Sequence, residues 1–372
     1  MNFWNSPILQ TMKLPVRLSA GALLAALSLA SCFAAAESSP VTVTVDPRVE
    51  LVALTQHLGG YAQRFKGRIN DFDHPYLNAL RAHFAGFTEH ESIKRLAALG
   101  IGGSDPTGIA VQLSWPNEVA FPGPVDRSSV RTDRAVEYAE QLRTFARAAD
   151  FAAFFAAHQA DHEALIADFA RTVEPQVVAD RVERYCGLRA SRYIIVLAPL
   201  LGRTSFGPRV AAPDGTETAY AILPAQGVVD GRLSFSDPAV LADGICHEFG
   251  HSFINPLVAR HWAEFAPLEV LMDRVRYAPS MNYGRDWRNC VNEHLVRAMT
   301  ARIVRQQKGE AAYTALLARE KGRGFAFIEE LCAALATFER RRDTYPNLDQ
   351  FLPELVRVLA QLAAPPASTV GR

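Results

Sequence analysis

The chain has 372 residues, of which 49% are hydrophobic and 21% charged, with 39 Lys and Arg against 39 Asp and Glu. This composition is typical of a globular protein and excludes a disordered chain. The zero net charge argues against a nucleic-acid-binding protein, which would carry a basic excess. Beyond the N-terminus, no apolar run reaches the length of about 18 residues that a membrane-spanning helix needs, so a polytopic membrane protein is excluded.

Residues 1–36 have the pattern of an export signal peptide. Two basic residues precede the apolar run 18–30, which is too short to cross a bilayer, and small residues follow. Two cleavage sites remain open. The segment 29–32, Leu-Ala-Ser-Cys, resembles a lipobox and would place a lipid on Cys32, whereas Ala-Ala-Ala at 34–36 fits ordinary signal peptidase. We therefore expect an exported protein that is periplasmic, attached to the envelope or secreted, with membrane contact only through a lipid at Cys32.

After the signal peptide, the predicted helices and strands indicate an α+β protein that is mostly helical, with a small β-sheet before the His-Glu motif at 247–251. Strands are predicted at 41–45, 193–197, 218–223 and 233–235, and helices over most of 49–99, 131–183 and the chain after Pro238. The order suggests a mainly helical N-terminal region over 37–185, a catalytic region over 186–364 and a polar tail over 365–372.

The sequence His-Glu-Phe-Gly-His at 247–251 is an HExxH motif. Its helix is predicted to span 238–254, between a capping aspartate and an Asn-Pro pair. Because residues four apart share one face of a helix, His247 and His251 can bind one zinc ion. Glu248 can then act as the general base that accepts a proton from a zinc-bound water.

A catalytic zinc site needs a third protein ligand and one open position. Glu293, in a helix further along the chain, is the first candidate, because Arg297 lies one turn beyond it and can orient its carboxylate. The alternative is that Glu293 and Arg297 form an ordinary surface pair. His261, Asp273 and His294 are the rival ligands, although a regular helix points His294 about 100° away from Glu293.

Two further features bear on substrate binding. Tyr283 lies between the two ligand helices, where its phenol can donate a hydrogen bond to a developing oxyanion or simply pack in the core. A peptide can also align along an exposed sheet edge by main-chain pairing. We expect 218–225 to be that edge strand and the more apolar 193–197 to be a central strand.

The residues around the motif carry a resemblance. The stretch 246–256, followed by 292–298, resembles gluzincin-type zinc metallopeptidases and, more narrowly, a bacterial family of exported zincin-like proteins of unknown function, over about 49–360 of this chain. The resemblance implies a zincin-like fold with His247, His251 and Glu293 as zinc ligands and Glu248 as base. The resemblance does not supply the substrate itself. Our leading hypothesis is an exported zinc-dependent metallohydrolase that is a peptidase acting on a peptide or protein, and the oligomeric state stays open.

The four cysteines beyond the signal keep a second hypothesis open. Cys186, Cys246, Cys290 and Cys332 can form two disulfides or remain four buried thiols. Cys246 precedes His247 directly, so sulfur could also close the metal site, as in structural zinc sites. The protein would then be an envelope-anchored binding or scaffold module with a structural or vestigial metal.

Overall fold

The structure is a computed structural model. It describes residues 39–61, 69–202, 204–212, 214–278, 281 and 283–364. The predicted signal peptide over 1–36 and the polar tail over 365–372 lie outside these residues. Within them, no helix combines the length and apolarity that crossing a bilayer requires.

Helices make up most of the described chain, and the predicted α+β class with a small sheet is confirmed. The helices before the sheet are α1 (Pro47–Leu58), α2 (Pro75–Phe84), α3 (Glu91–Leu99), α4 (Asp105–Ala110), α5 (Ala135–Ala148), α6 (Phe151–Ala157), α7 (Gln159–Ala170) and α8 (Pro175–Cys186). Those after it are α9 (Pro238–Arg260), α10 (Trp262–Phe265), α11 (Trp287–Gly322), α12 (Ile328–Arg340) and α13 (Leu348–Ala363), with a 3-10 segment (Ala266–Arg274) before α11.

Four strands form one mixed sheet in the order β1-β2-β4-β3. They are β1 (Val41–Thr44), β2 (Arg192–Ala198), β3 (Arg209–Ala211) and β4 (Glu217–Pro224). The strands β1 and β4 run parallel to β2, so that Ile195 pairs with Val43 on one side and Ala221 on the other, and β3 runs antiparallel to β4. The short strands β5 (Gly227–Val229) and β6 (Arg232–Ser234) form a separate hairpin. Because β1 pairs with β2, the chain before and after residue 186 shares one sheet and one compact unit that begins at Ser39.

The central position of β2 is confirmed, but the prediction that 218–225 forms an edge strand is wrong. The strand β4 lies between β2 and β3 and is buried over nearly its whole length, since it is covered on both faces. On this side of the sheet the edge strand is β3, and its outward backbone amides are already hydrogen-bonded. The amides of Arg209 and Ala211 donate hydrogen bonds to Ser129 Oγ at 3.0 Å and to Asp126 Oδ2 at 2.9 Å.

The segment before β3 packs directly on α9, the helix that carries the HExxH motif. A Cβ atom on Gly207 would overlap the backbone of Glu248, including its carbonyl oxygen. One residue on, the carbonyl of Pro208 accepts a hydrogen bond from Ser252 Oγ at 3.4 Å. The sheet edge and the motif helix are therefore in backbone contact at the motif glutamate, and only glycine fits at that contact.

This contact generates a prediction for stability. We expect Gly207→Ala to lower the free energy of unfolding by about 2–3 kcal/mol, because neither backbone can move away without disturbing the core. Gly227→Ala is the matched control, since a Cβ atom there meets nothing within 4 Å. Urea denaturation of the two variants measures the difference. Equal stability of the two would contradict the contact.

Candidate metal centre

The motif histidines lie on α9, whose start is set by its local sequence. Asp237 caps the helix by accepting a hydrogen bond from the amide of Ala239 at 2.8 Å, and Pro238 occupies the first helical turn, where it costs no hydrogen bond. The helix then presents His247 and His251 on one face, four residues apart. Their Nε2 atoms are 3.2 Å from each other.

The prediction that this helix ends at residue 254 is wrong, because α9 continues through Pro256 to its end at residue 260. A proline inside a helix removes one backbone hydrogen bond and crowds the carbonyl four residues earlier, here that of Ser252. The side chains just beyond the proline are buried in the core, and their burial offsets that cost. Asn255 therefore stays helical, one turn after His251, and its Oδ1 lies 3.1 Å from His251 Nδ1.

Glu293 lies on α11, which crosses α9 at the motif. The side chain of Asp286 caps α11 by accepting a hydrogen bond from Asn289 N at 3.0 Å. Within the motif, a Cβ atom on Gly250 would overlap the side-chain end of Met299 on α11. The two helices therefore pack closely at Gly250, where the end of the Met299 side chain takes the place of a Cβ atom.

The three side chains converge at one point. Glu293 Oε2 lies 3.7 Å from His247 Nε2, and Glu293 Oε1 lies 3.6 Å from His251 Nε2. With the 3.2 Å between the imidazoles, these separations are close to the spacing of about 3.3 Å between tetrahedral ligands on one zinc ion. Among the described residues, this is the group of His, Cys, Asp and Glu side chains whose ligand atoms lie near enough to share a metal ion.

Protonation states favour a cation at this point. The pKa of His247 is held well below its usual range, first by burial and then by the charges of Arg297 and its neighbours, so the imidazole is neutral and can act as a ligand. The oxygen of Asn255 can only accept, so it holds the proton of His251 on Nδ1 and leaves Nε2 free for a metal. Glu293 Oε2 is buried, and its ion pair with Arg297 leaves room for a further partner on the side of the histidines. The residues therefore fit a zinc ion.

Arg297 forms an ion pair with the Glu293 carboxylate and orients it. Its Nη2 lies 3.0 Å from Glu293 Oε2, and its Nη1 donates to Glu320 Oε2 at 2.9 Å. Although burial would raise the pKa of Glu293, the charges of Arg297 and His251 and the phenol of Tyr283 keep it below its usual value. The predicted Glu293–Arg297 pair exists, and it is buried rather than a surface pair, with the guanidinium also 4.3 Å above the ring of Phe325.

Tyr283 lies at the centre, beside the ligand carboxylate. Its hydroxyl is 3.4 Å from Arg297 Nη2 and faces Glu293, while its ring packs edge-on against Tyr277 and Phe325. Burial raises the pKa of the phenol, which therefore remains a hydrogen-bond donor at neutral pH. The structure thus brings Tyr283 to the metal ligands, and in this position its hydroxyl accepts a hydrogen bond from Arg297 and donates one to Glu293.

Glu248 is a buried carboxyl next to the cluster. Burial, and then the negative charge of Glu293, raise the pKa of Glu248 to about 8. A cation bound by the neighbouring ligands would lower that pKa through its charge. The group is therefore set to exchange a proton near neutral pH.

The rival ligands lie elsewhere. The Nδ1 atom of His294 is 2.8 Å from the carbonyl oxygen of Cys290, and its ring packs against Phe325 and Phe327, away from the cluster. His261 contacts acidic side chains of the surface, and Asp273 pairs with Arg285. The structure brings none of the three to His247.

The cysteines also lie outside the cluster. Cys186, Cys246, Cys290 and Cys332 are buried free thiols in this structure. Cys246 is next to the first histidine in sequence, yet its side chain lies on another face of α9, and the group of potential ligand atoms contains no sulfur.

Sequence reasoning missed two residues that support the centre. Asn255 was assigned only to the end of a helix, and its position one turn after His251 was the signal that could have identified it. Glu320 lies 23 residues beyond Arg297 in sequence, on the far side of a break in α11 at Gly309. No local pattern could have connected it to the centre.

The contact between Asn255 and His251 generates a prediction for metal affinity. We expect Asn255→Leu to weaken zinc binding by about 10–100-fold, because the imidazole loses the partner that fixes its tautomer and orientation. Asn78→Leu, on the surface of α2, is the control and should bind zinc as the unchanged protein does. Competition with a chromophoric chelator measures both affinities. Unchanged affinity in Asn255→Leu would contradict this role.

Comparison with known proteins places the chain in a family. A family profile described as Domain of unknown function (DUF4932) matches residues 41–358. No curated protein and no solved structure matches the chain. The matched region includes all strands of the sheet, α9 with the HExxH motif and α11 with Glu293. The chain therefore belongs to the family described as Domain of unknown function (DUF4932).

Proposed function

We propose that the protein is a zinc-dependent hydrolase of the gluzincin type, with a zincin-like fold, and that it is a peptidase. One observation carries the proposal. Two imidazoles and one carboxylate converge close to the spacing of zinc ligands, beside the buried carboxyl of Glu248. A capped helix supplies the first two ligands and a second helix the third, as the resemblance of the motif implies.

The kind of ligands favours catalysis over a structural role. Structural zinc sites close all four positions, commonly with cysteine, whereas catalytic sites use three protein ligands and keep one position open. The described cluster offers two nitrogens and a carboxylate, and no sulfur lies among its potential ligand atoms. The form of the scaffold hypothesis in which Cys246 closes a structural zinc site therefore has no support in this cluster.

When bound, zinc would polarise a carbonyl group and increase the acidity of water at the open position. The side chains of the protein would transfer the proton and orient the ligand carboxylate. Glu248 accepts a proton from the attacking water and passes it to the leaving amine, because a cation at the ligands would lower the raised pKa of this carboxyl and leave it ionised. Arg297 and Tyr283 orient Glu293, and the phenol of Tyr283, beside that carboxylate, is the donor that we assign to a developing oxyanion.

A peptide as the substrate rests on the resemblance around the motif. A peptide could pair with the main chain of β3 only if residues 126–129 moved away, because Ser129 and Asp126 accept the hydrogen bonds of the outward-facing amides of β3. We also propose, from the sequence of residues 1–36, that the protein is exported and acts in the periplasm, on the envelope or outside the cell.

The mechanism makes a direct prediction. We expect Glu248→Gln to keep its zinc and to lose at least about 10²–10⁴-fold in kcat, because the amide cannot accept the proton. His247→Ala should lose both zinc and activity. The measurement is cleavage of a quenched-peptide library by the purified, zinc-loaded proteins, with metal content determined on the same samples. Activity that survives in zinc-loaded Glu248→Gln would refute the mechanism.

A further inference from the structure

Two partly exposed arginines lie beside the candidate centre. On the second half of α11, Arg319 Nε and Arg323 Nη1 each lie 3.1 Å from Oε1 of Glu320, while Arg297 binds the other oxygen of that carboxylate. Glu320 is only 2% exposed, whereas the side chains of Arg319 and Arg323 are 50% and 40% exposed. The two guanidiniums are thus anchored on one buried carboxylate and reach solvent.

This group carries an excess of positive charge. Arg297, Arg319 and Arg323 supply three positive charges, while Glu293 and Glu320 supply two negative charges. Among the described residues, Glu320 is the carboxylate that contacts Arg319 and Arg323, and each uses a single nitrogen for it. Within the described part of the chain, the other guanidinium N–H groups of both residues contact no acceptor and are available to one from outside.

Arg297 connects this group to the metal ligands. Its Nη2 lies 3.0 Å from Glu293 Oε2, and its Nη1 lies 2.9 Å from the Glu320 carboxylate that Arg319 and Arg323 also contact. The two guanidiniums are therefore close enough to the centre to act on a molecule bound there. Guanidinium groups bind carboxylates with two parallel hydrogen bonds, a geometry that a single lysine cannot provide.

We propose that Arg319 and Arg323 form an anion subsite that selects substrates carrying a carboxylate close to the bond that is cleaved. This inference rests on the proposed function and specifies its substrate class. The carboxylate can come from an aspartate or glutamate side chain of a peptide or from the C-terminus of the peptide chain. Both sources present the same planar group, so the experiment must separate them.

The experiment uses zinc-loaded protein and three quenched-peptide libraries with the same neutral residues. The first is amidated, the second is amidated and contains one aspartate at varied positions, and the third has a free C-terminal carboxylate. We expect kcat/KM to be higher for the second or the third than for the first. The library that is preferred identifies the source of the carboxylate.

The double variant Arg319→Gln with Arg323→Gln tests the residues. We expect it to lose about tenfold or more in kcat/KM on the preferred library and to keep its activity on the neutral library. Arg305→Gln with Arg357→Gln is the matched control, because these arginines pair with Glu310 and Glu354 at the surface, without contact to Glu320. A second variant, Arg319→Lys with Arg323→Lys, should keep part of the preference, because it keeps the charge but not the planar geometry.

Binding provides a readout that does not depend on turnover. Fluorescence anisotropy with the zinc-loaded Glu248→Gln variant measures the affinity for a labelled peptide of each library, with and without the arginine substitutions. If the zinc-loaded, unsubstituted protein cleaves none of the libraries, the proposed function is refuted. The binding measurement would still test the subsite. Equal affinity for neutral and anionic peptides, or an equal loss for both in the double variant, would overturn the subsite and leave the arginines as counterions of Glu320.

Discussion

The close approach of α9 and α11 is the constraint on which the candidate centre depends. Gly250 removes the side chain that would separate the helices, and Met299 packs in the space that it leaves. This approach brings a carboxylate of one helix within ligand distance of two histidines of the other. The opposite side of α9 is fixed by Gly207, where the segment before β3 lies on the backbone of Glu248. The motif helix is thus held between a sheet and a helix, and the contact with the sheet segment at Gly207 requires a glycine.

Burial gives these charged groups their chemical character. Glu293 would be costly to ionise in the core, but Arg297 offsets that cost, and Glu320 in turn neutralises Arg297. Glu248, at the same depth, contacts no such cation, and its pKa is raised instead. Two neighbouring carboxyl groups therefore differ in proton affinity because their partners differ. A metal ligand must be ionised and a general base must exchange protons, so this difference matches the proposed roles.

Local patterns in the sequence predicted a large part of this arrangement. Helical spacing placed His247 and His251 on one face, and the i, i+4 spacing of Glu293 and Arg297 anticipated their ion pair. The prediction was wrong where packing overrides a local signal. Pro256 does not end α9, because Leu257 and Val258 just beyond it are buried in the core. The strand β4 is not an edge strand, because β3 pairs with its outer side. Glu320 could not be predicted, because its contact with Arg297 depends on the path of α11 after Gly309.

The central claim is that His247, His251 and Glu293 bind one metal ion together. The most direct test is the metal content of the purified protein under metal-replete conditions, beside Glu293→Ala and beside Glu329→Ala, whose carboxylate is exposed and paired with Lys321. The account predicts one zinc per chain in the unchanged protein and in Glu329→Ala, and greatly weakened binding in Glu293→Ala. Absence of zinc from all three proteins, or equal binding by Glu293→Ala, would contradict it.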